Sequence, residues 1–173
     1  IGDSAGGNLA AAMTQRRRAS GAYPKILGQA LLYPALQVSD LQTYSYRYWN
    51  PLTVAFYFLW YAGIDVNAHP EYARAAVDNG HVSEESSRIR RQYMNYSLLP
   101  DSLRHTTDTS DNSHSETLDD LADYLTPFLT NPDFAPVMEP DLSGLPATFI
   151  CTCEYDVLRD EGAIYAQRLK HAG

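Results

Sequence analysis

Gly2-Asp3-Ser4-Ala5-Gly6 matches the pattern G-x-S-x-G, and Gly7-Asn8-Leu9-Ala10-Ala11-Ala12 continues from it as a helix-forming run. A serine in this setting sits at the tip of a sharp strand-to-helix turn, where strained backbone exposes its Oγ. Glycines flank it because a Cβ two positions to either side is expected to clash with neighbouring elements. The turn also aims the amide N–H of the next residue, Ala5, at an oxygen that gains charge when a carbonyl is attacked. The helix dipole adds favourable potential for that charge. The competing reading is a glycine-rich helix start that merely packs closely.

Working outward, Ser4 to Ser20 reads as one helix, with Arg16, Arg17 and Arg18 near its end and Gly21 as its stop. The three arginines read as a solvated helix end. Ile26 to Tyr33 is a short apolar run between Pro24 and Pro34, the form of a buried strand in a parallel sheet. Ala147 to Cys153 reads as a second strand, and Ala163 to Lys170 as a helix. Between these lie three helical candidates, Leu52 to Ala62 after Pro51, Pro70 to Val77 and Leu118 to Leu125, and a polar stretch, 106 to 116, that reads as a mobile loop. The expected fold is α/β: core at 1–36, a helical cap insertion with loops at 37–141, and core again at 142–173, carrying an acid-bearing strand and a helix.

The chain has 173 residues, 13 Lys+Arg against 21 Asp+Glu, and a formal net charge of −8. That balance argues against a protein that binds nucleic acid by neutralising phosphates. Two cysteines are too few for a disulfide scaffold. Cys151 and Cys153 share one face of their strand and are expected to be buried thiols, not a mutual disulfide. No apolar run is long enough to span a bilayer. The acids between Asp108 and Asp123 lack the spacing of a calcium loop, so no metal is assigned. The aromatic residues between Tyr44 and Tyr61 read mainly as the core of the cap, and one face of it also suits an apolar acyl pocket or a surface that meets lipid. Asn95-Tyr96-Ser97 is the one N-glycosylation sequon.

Gly2-Asp3-Ser4-Ala5-Gly6-Gly7-Asn8-Leu9-Ala10 resembles the serine motif of the hormone-sensitive-lipase group of α/β-hydrolases. Within that group the chain is most similar to the arylacetamide deacetylase and neutral cholesterol ester hydrolase branch. Further stretches that match are Leu32-Tyr33-Pro34-Ala35-Leu36-Gln37, His81-Val82, Ser86-Ser87, Asn95 to Pro100, and Cys153 to Gly162. The resemblance implies an α/β-hydrolase fold with a helical cap, incomplete at both ends. It also implies a serine carboxylic-ester hydrolase that acts through an acyl-enzyme, with Ser4 as nucleophile, Ala5 N–H as oxyanion donor and no cofactor. Apolar esters or amides, such as acylglycerols or aryl-acetamides, are the implied small-molecule substrates, and no nucleic acid is implied as a partner.

Glu154, Asp156, Asp160 and Glu161 all compete for the acid. Asp156 directly follows the strand, whereas Asp160 and Glu161 suit the first turn of the helix. The family motif Asp-x-Leu-x-Asp makes its first aspartate, Asp156, the triad member that orients the histidine. The histidine base is expected after the next helix and strand. His69, His81, His105 and His114 precede the acid, and His171 suits a helix end. The chain therefore reads as a fragment, inactive by itself. The family further implies the lumenal face of the endoplasmic-reticulum membrane, attachment through a segment before Ile1, and a glycan on Asn95. A hydrolase-fold ligand-binding protein without catalysis, as in the gibberellin receptors, is the alternative.

Overall fold

The computed structural model describes residues 1–104 and 117–173. A short strand, β1 (Gly2–Asp3), runs straight into helix α1 (Ser4–Ser20). Gly21 ends α1 at φ 61°, and its N–H returns to the Arg18 carbonyl at 3.1 Å. Strand β2 (Gly28–Leu32) pairs in parallel with β1, with Gly2 opposite Leu31. Strand β3 (Ala147–Cys151) pairs in parallel with the other side of β2, from Gly28–Ala147 to Leu32–Cys151. Among the described residues the sheet order is β1-β2-β3. Because all three strands are parallel, their carboxyl ends share one edge, where ligands of open α/β sheets bind.

The long crossover from β2 to β3 carries a 3-10 helix (Tyr44–Tyr48) and helices α2 (Pro51–Tyr61), α3 (Pro70–Val77), α4 (Glu84–Tyr93) and α5 (Asp119–Leu129). Helix α6 (Arg159–Ala172) follows β3. Asn50 caps α2 by accepting from the Leu52 N–H, and Pro51 occupies its first turn, where a missing N–H costs nothing. Phe58 and Leu59 of α2, Leu121 and Leu125 of α5, and Val157 of the β3–α6 loop share one apolar cluster. A second cluster joins Ala11 of α1, Leu31 of β2, and Ile164 and Tyr165 of α6. Each fully buried large side chain contributes about 1.5–3 kcal/mol. Val157 ties the loop at the sheet edge to the helical layer, not to the sheet.

Several expectations change. The β2 ladder starts at Gly28, so Ile26 and Leu27 precede it and are exposed. Helix α5 runs on to Leu129 through Pro127, and α6 starts at Arg159. Helix α4 was not expected. Its signals are local: Ser83 caps it by accepting from the Ser86 N–H, Glu84 and Glu85 fill its first turn, and Arg90 and Arg91 its last. Cys151 and Cys153 are free thiols but exposed: Cys151 ends β3, an edge strand among the described residues, and Cys153 lies beyond the strand, which stops short of the expected Cys153. Arg18 is not solvated: it donates to the carbonyls of Asp141 and Ser143 and pairs with Glu139. The polar stretch 106–116 lies outside the described residues. No helix among those described is long and apolar enough to cross a membrane.

Candidate active site

Ser4 opens α1 at φ 50°. A side-chain-bearing residue in this left-handed region carries strain of about 1–2 kcal/mol. The strained residue is the one the motif singles out, and it is exposed. A Cβ on Gly2 would lie 2.0 Å from the Gly6 carbonyl oxygen, and one on Gly7 would lie 2.8 Å from Pro34 Cβ. Gly6 differs from expectation: its nearest neighbour to an added Cβ is Asp3 Oδ1 at 3.8 Å, so nothing crowds that position. The turn is thus closed by Gly2 and Gly7. The Ala35 N–H donates to the Ser4 carbonyl at 3.1 Å. Asn8 braces the same turn, donating through Nδ2 to the carbonyls of Ala35 and Phe134, each at 2.8 Å.

A cavity of about 360 Å³ opens beside Ser4 and Ala5. Its walls come from α2 (Val54, Tyr57, Phe58, Tyr61), from the β2 exit (Ala35, Gln37, Val38), and from Phe134, Val157 and Leu158. The aromatic run divides here: Tyr46 and Phe58 are buried, while Trp49, Tyr57 and Tyr61 remain about half exposed at the pocket. The aromatics between Tyr44 and Tyr61 therefore serve both as core and as pocket wall.

Asp156 stands in the loop after β3, at the sheet edge that presents Ser4, with β2 between them. It is half-buried, and its Oδ1 accepts from the Leu158 N–H at 2.9 Å. The next two residues, Val157 and Leu158, line the cavity. Glu154 lies beyond the strand and is exposed. Asp160 and Glu161 do fall in the first turn of α6, but they are buried at 1% exposure each, so they are more than surface dipole partners. Asp160 pairs with Arg159 at 2.7 Å. Glu161 Oε1 accepts from the Leu36 N–H at 2.6 Å, and Oε2 from Gln37 Nε2 at 3.1 Å and the Tyr46 hydroxyl at 3.3 Å. Burial pushes the Glu161 carboxyl up to about 8, against these donors, which favour its charged form.

None of the described histidines lines this cavity. His171 is exposed in the last turn of α6, about 18 Å of helix from Arg159. His81 is buried with Nε2 2.8 Å from the Val38 carbonyl, and burial lowers it to about 4. His69 is exposed, 3.2 Å from Glu71. His105 and His114 lie outside the described residues. Asn95 is exposed, and its Oδ1 accepts from the Ser97 N–H at 3.0 Å. Among the described residues no group of three or more His, Cys, Asp or Glu could hold a metal ion.

A strained serine between a parallel strand and a helix, an apolar cavity beside it and an aspartate in the loop at the same sheet edge match the layout of α/β-hydrolase folds. The chain belongs to the α/β-hydrolase family: a family model described as alpha/beta hydrolase fold matches residues 1–84 and 47–173. It is 38% identical over 181 residues to arylacetamide deacetylase of Oryctolagus cuniculus, covering 99% of this chain and 44% of that protein. It is 35% identical over 182 residues to neutral cholesterol ester hydrolase 1 of Bos taurus, covering 99% of this chain and 43% of that one. A solved structure described as a hyperthermophilic esterase from the archaeon Pyrobaculum calidifontis superposes with a TM-score of 0.51 at 26% identity, covering 99% of this chain and 38% of that one. The chain thus spans less than half the length of these relatives.

Sequence reasoning gave no role to two residues here, Asn8 within the quoted motif and Arg159 beside the acid; Glu161 was weighed as an acid or first-turn residue, but only the fold reveals that it is buried.

Proposed function

We propose that the protein is a serine carboxylic-ester hydrolase acting on apolar esters or amides through an acyl-enzyme. Ser4 Oγ attacks the carbonyl carbon as a histidine takes its proton, and the Ala5 N–H holds the developing oxyanion. The leaving alcohol or amine departs with that proton, and water then releases the acid from Ser4. Asp156 orients the histidine, which in this class follows the acid along the chain. Residues 37–141 serve as the cap whose aromatics hold the apolar acyl group. The strained Ser4 at the mouth of the apolar cavity carries this reading. The resemblance of the serine motif to the arylacetamide deacetylase branch motivates a further proposal, placement at the lumenal face of the endoplasmic-reticulum membrane with a glycan on the exposed Asn95 sequon.

The test is hydrolysis of p-nitrophenyl butyrate by the protein at its natural length. Ser4→Ala and Asp156→Asn should each lower kcat by about 10³-fold or more. Asp160→Asn, which keeps an Oδ1 acceptor for Arg159, should act mainly through stability and lower turnover far less than Asp156→Asn. Undiminished turnover by Ser4→Ala would refute the assignment.

A further inference from the structure

Arg159 is 3% exposed, and a guanidinium is buried only when its surroundings compensate its charge. Its Nε donates to Asp160 Oδ1 at 2.7 Å, and its Nη1 donates to the Glu154 carbonyl at 3.1 Å. Its Cζ lies over the rings of Tyr44 and Tyr48, 6.0 and 5.5 Å from their centroids. One side chain thus joins the acid loop, the first turn of α6 and the 3-10 helix of the crossover.

These contacts surround Asp156. Glu154 lies two residues before it, and the Arg159 backbone N–H donates to the Asp156 carbonyl at 3.2 Å. Ser45 Oγ donates to the Val157 carbonyl at 2.8 Å. Tyr48 packs edge-on against Tyr155, the residue just before the aspartate, with centroids 5.4 Å apart. The loop is fixed on both sides of Asp156 while the carboxylate commits Oδ1 to the Leu158 N–H. That leaves Oδ2 to receive a histidine N–H. Free rotation of the loop would lose this alignment, because a short loop beyond a strand has few contacts of its own.

We propose that Arg159 is a positioning residue that holds the Asp156 carboxylate in line for the histidine by clamping the Glu154 carbonyl between Asp160 and the Tyr44–Tyr48 aromatic pair. The inference rests on Asp156 being the acid. Arg159 touches no substrate and acts only through Asp156, so its effect on catalysis must vanish when Asp156 is already disabled.

The experiment is a double-mutant cycle in the protein at its natural length, with p-nitrophenyl butyrate turnover and urea unfolding measured on each variant. Arg159→Met keeps the length of the side chain and removes its donors. Arg159→Lys keeps the charge, but one ammonium cannot reproduce the guanidinium's two-headed contact. Both should lower kcat by about 10–100-fold with KM within about twofold. The acid limb of the pH–kcat/KM profile should move to lower pH, because a misaligned carboxylate stabilises imidazolium less. In the Asp156→Asn background, either substitution should change kcat less than about twofold. Arg159→Lys decides the matter if Arg159→Met does not fold. Full multiplicative losses in the Asp156→Asn background, or a wild-type kcat and pH profile for Arg159→Lys, would overturn the clamp. If Asp156→Asn itself retains wild-type turnover, the reading of the acid fails instead.

Discussion

Replacing the glycines of the serine turn one at a time separates the geometry of this fold from the pattern that names it. The pattern treats Gly2 and Gly6 alike, and the structure does not. A methyl on Gly2 would lie 2.0 Å from the Gly6 carbonyl oxygen and 2.3 Å from its carbon. Relief requires backbone at the head of α1 to move by about 1 Å, and overpacking costs about 1–3 kcal/mol even where side chains can yield. Gly2→Ala should therefore lose about 3 kcal/mol or more. Moving Ser4 with its turn by about 1 Å should also lower turnover about 100-fold in the protein that remains folded. At Gly7 the methyl would meet Pro34 Cβ at 2.8 Å and Pro34 Cα at 2.9 Å. Both atoms belong to a rigid ring or backbone, so the segment must shift by roughly half an ångström and the loss should be about 2–3 kcal/mol, still below that at Gly2. At Gly6 no atom comes nearer than 3.8 Å, and alanine in a helix is favoured over glycine by about 0.5–1 kcal/mol. Gly6→Ala should be neutral or stabilising. Urea unfolding of the protein and its three variants, followed by circular dichroism, gives the order directly. A Gly6→Ala loss above about 1 kcal/mol, or a Gly2→Ala variant as stable as wild type, would refute the reasoning.

Two further outcomes follow from other parts of the molecule. Burial raises the Glu161 carboxyl from 4.5 to about 8, so its contribution to stability is full below 4.5 and is lost as pH rises through about 8. The stability difference between wild type and Glu161→Gln should therefore shift steadily against wild type across that interval, and a pH-independent difference in urea midpoint would disprove it. If the protein faces the endoplasmic-reticulum lumen, exposed Asn95 should carry a glycan. Glycosidase treatment should then increase gel mobility in wild type but not in Asn95→Gln, and an identical shift in both would rule out a glycan there.

What the sequence made legible follows the range of the forces involved. Helix α3 is found at Pro70–Val77 as read, and α1 at Ser4–Ser20, because a proline start, an alanine run and a left-handed glycine stop act within a few residues. The position of Ser4 was legible for the same reason: the turn is local, and its φ of 50° bears out the strain that the motif implies. Edges were less legible. Ile26 and Leu27 are as apolar as the residues after them, and only the pairing partner Ala147, far along the chain, decides where the β2 ladder begins. Polarity misled in the same way at the first turn of α6. Asp160 and Glu161 look like solvated dipole partners until the fold buries both and brings Leu36, Gln37 and Tyr46 to Glu161. The Glu161 carboxyl is held by groups more than 100 residues away in sequence, as in Leu36–Glu161, separated by 125, while Asp160 pairs with its neighbour Arg159. A buried charge is tolerable only when such partners exist, so its burial marks a place where distant segments must meet in one arrangement. Here that place is the turn of helix directly after Asp156. The fold thus puts a cluster of buried polar side chains beside the residue whose alignment the proposed chemistry needs most.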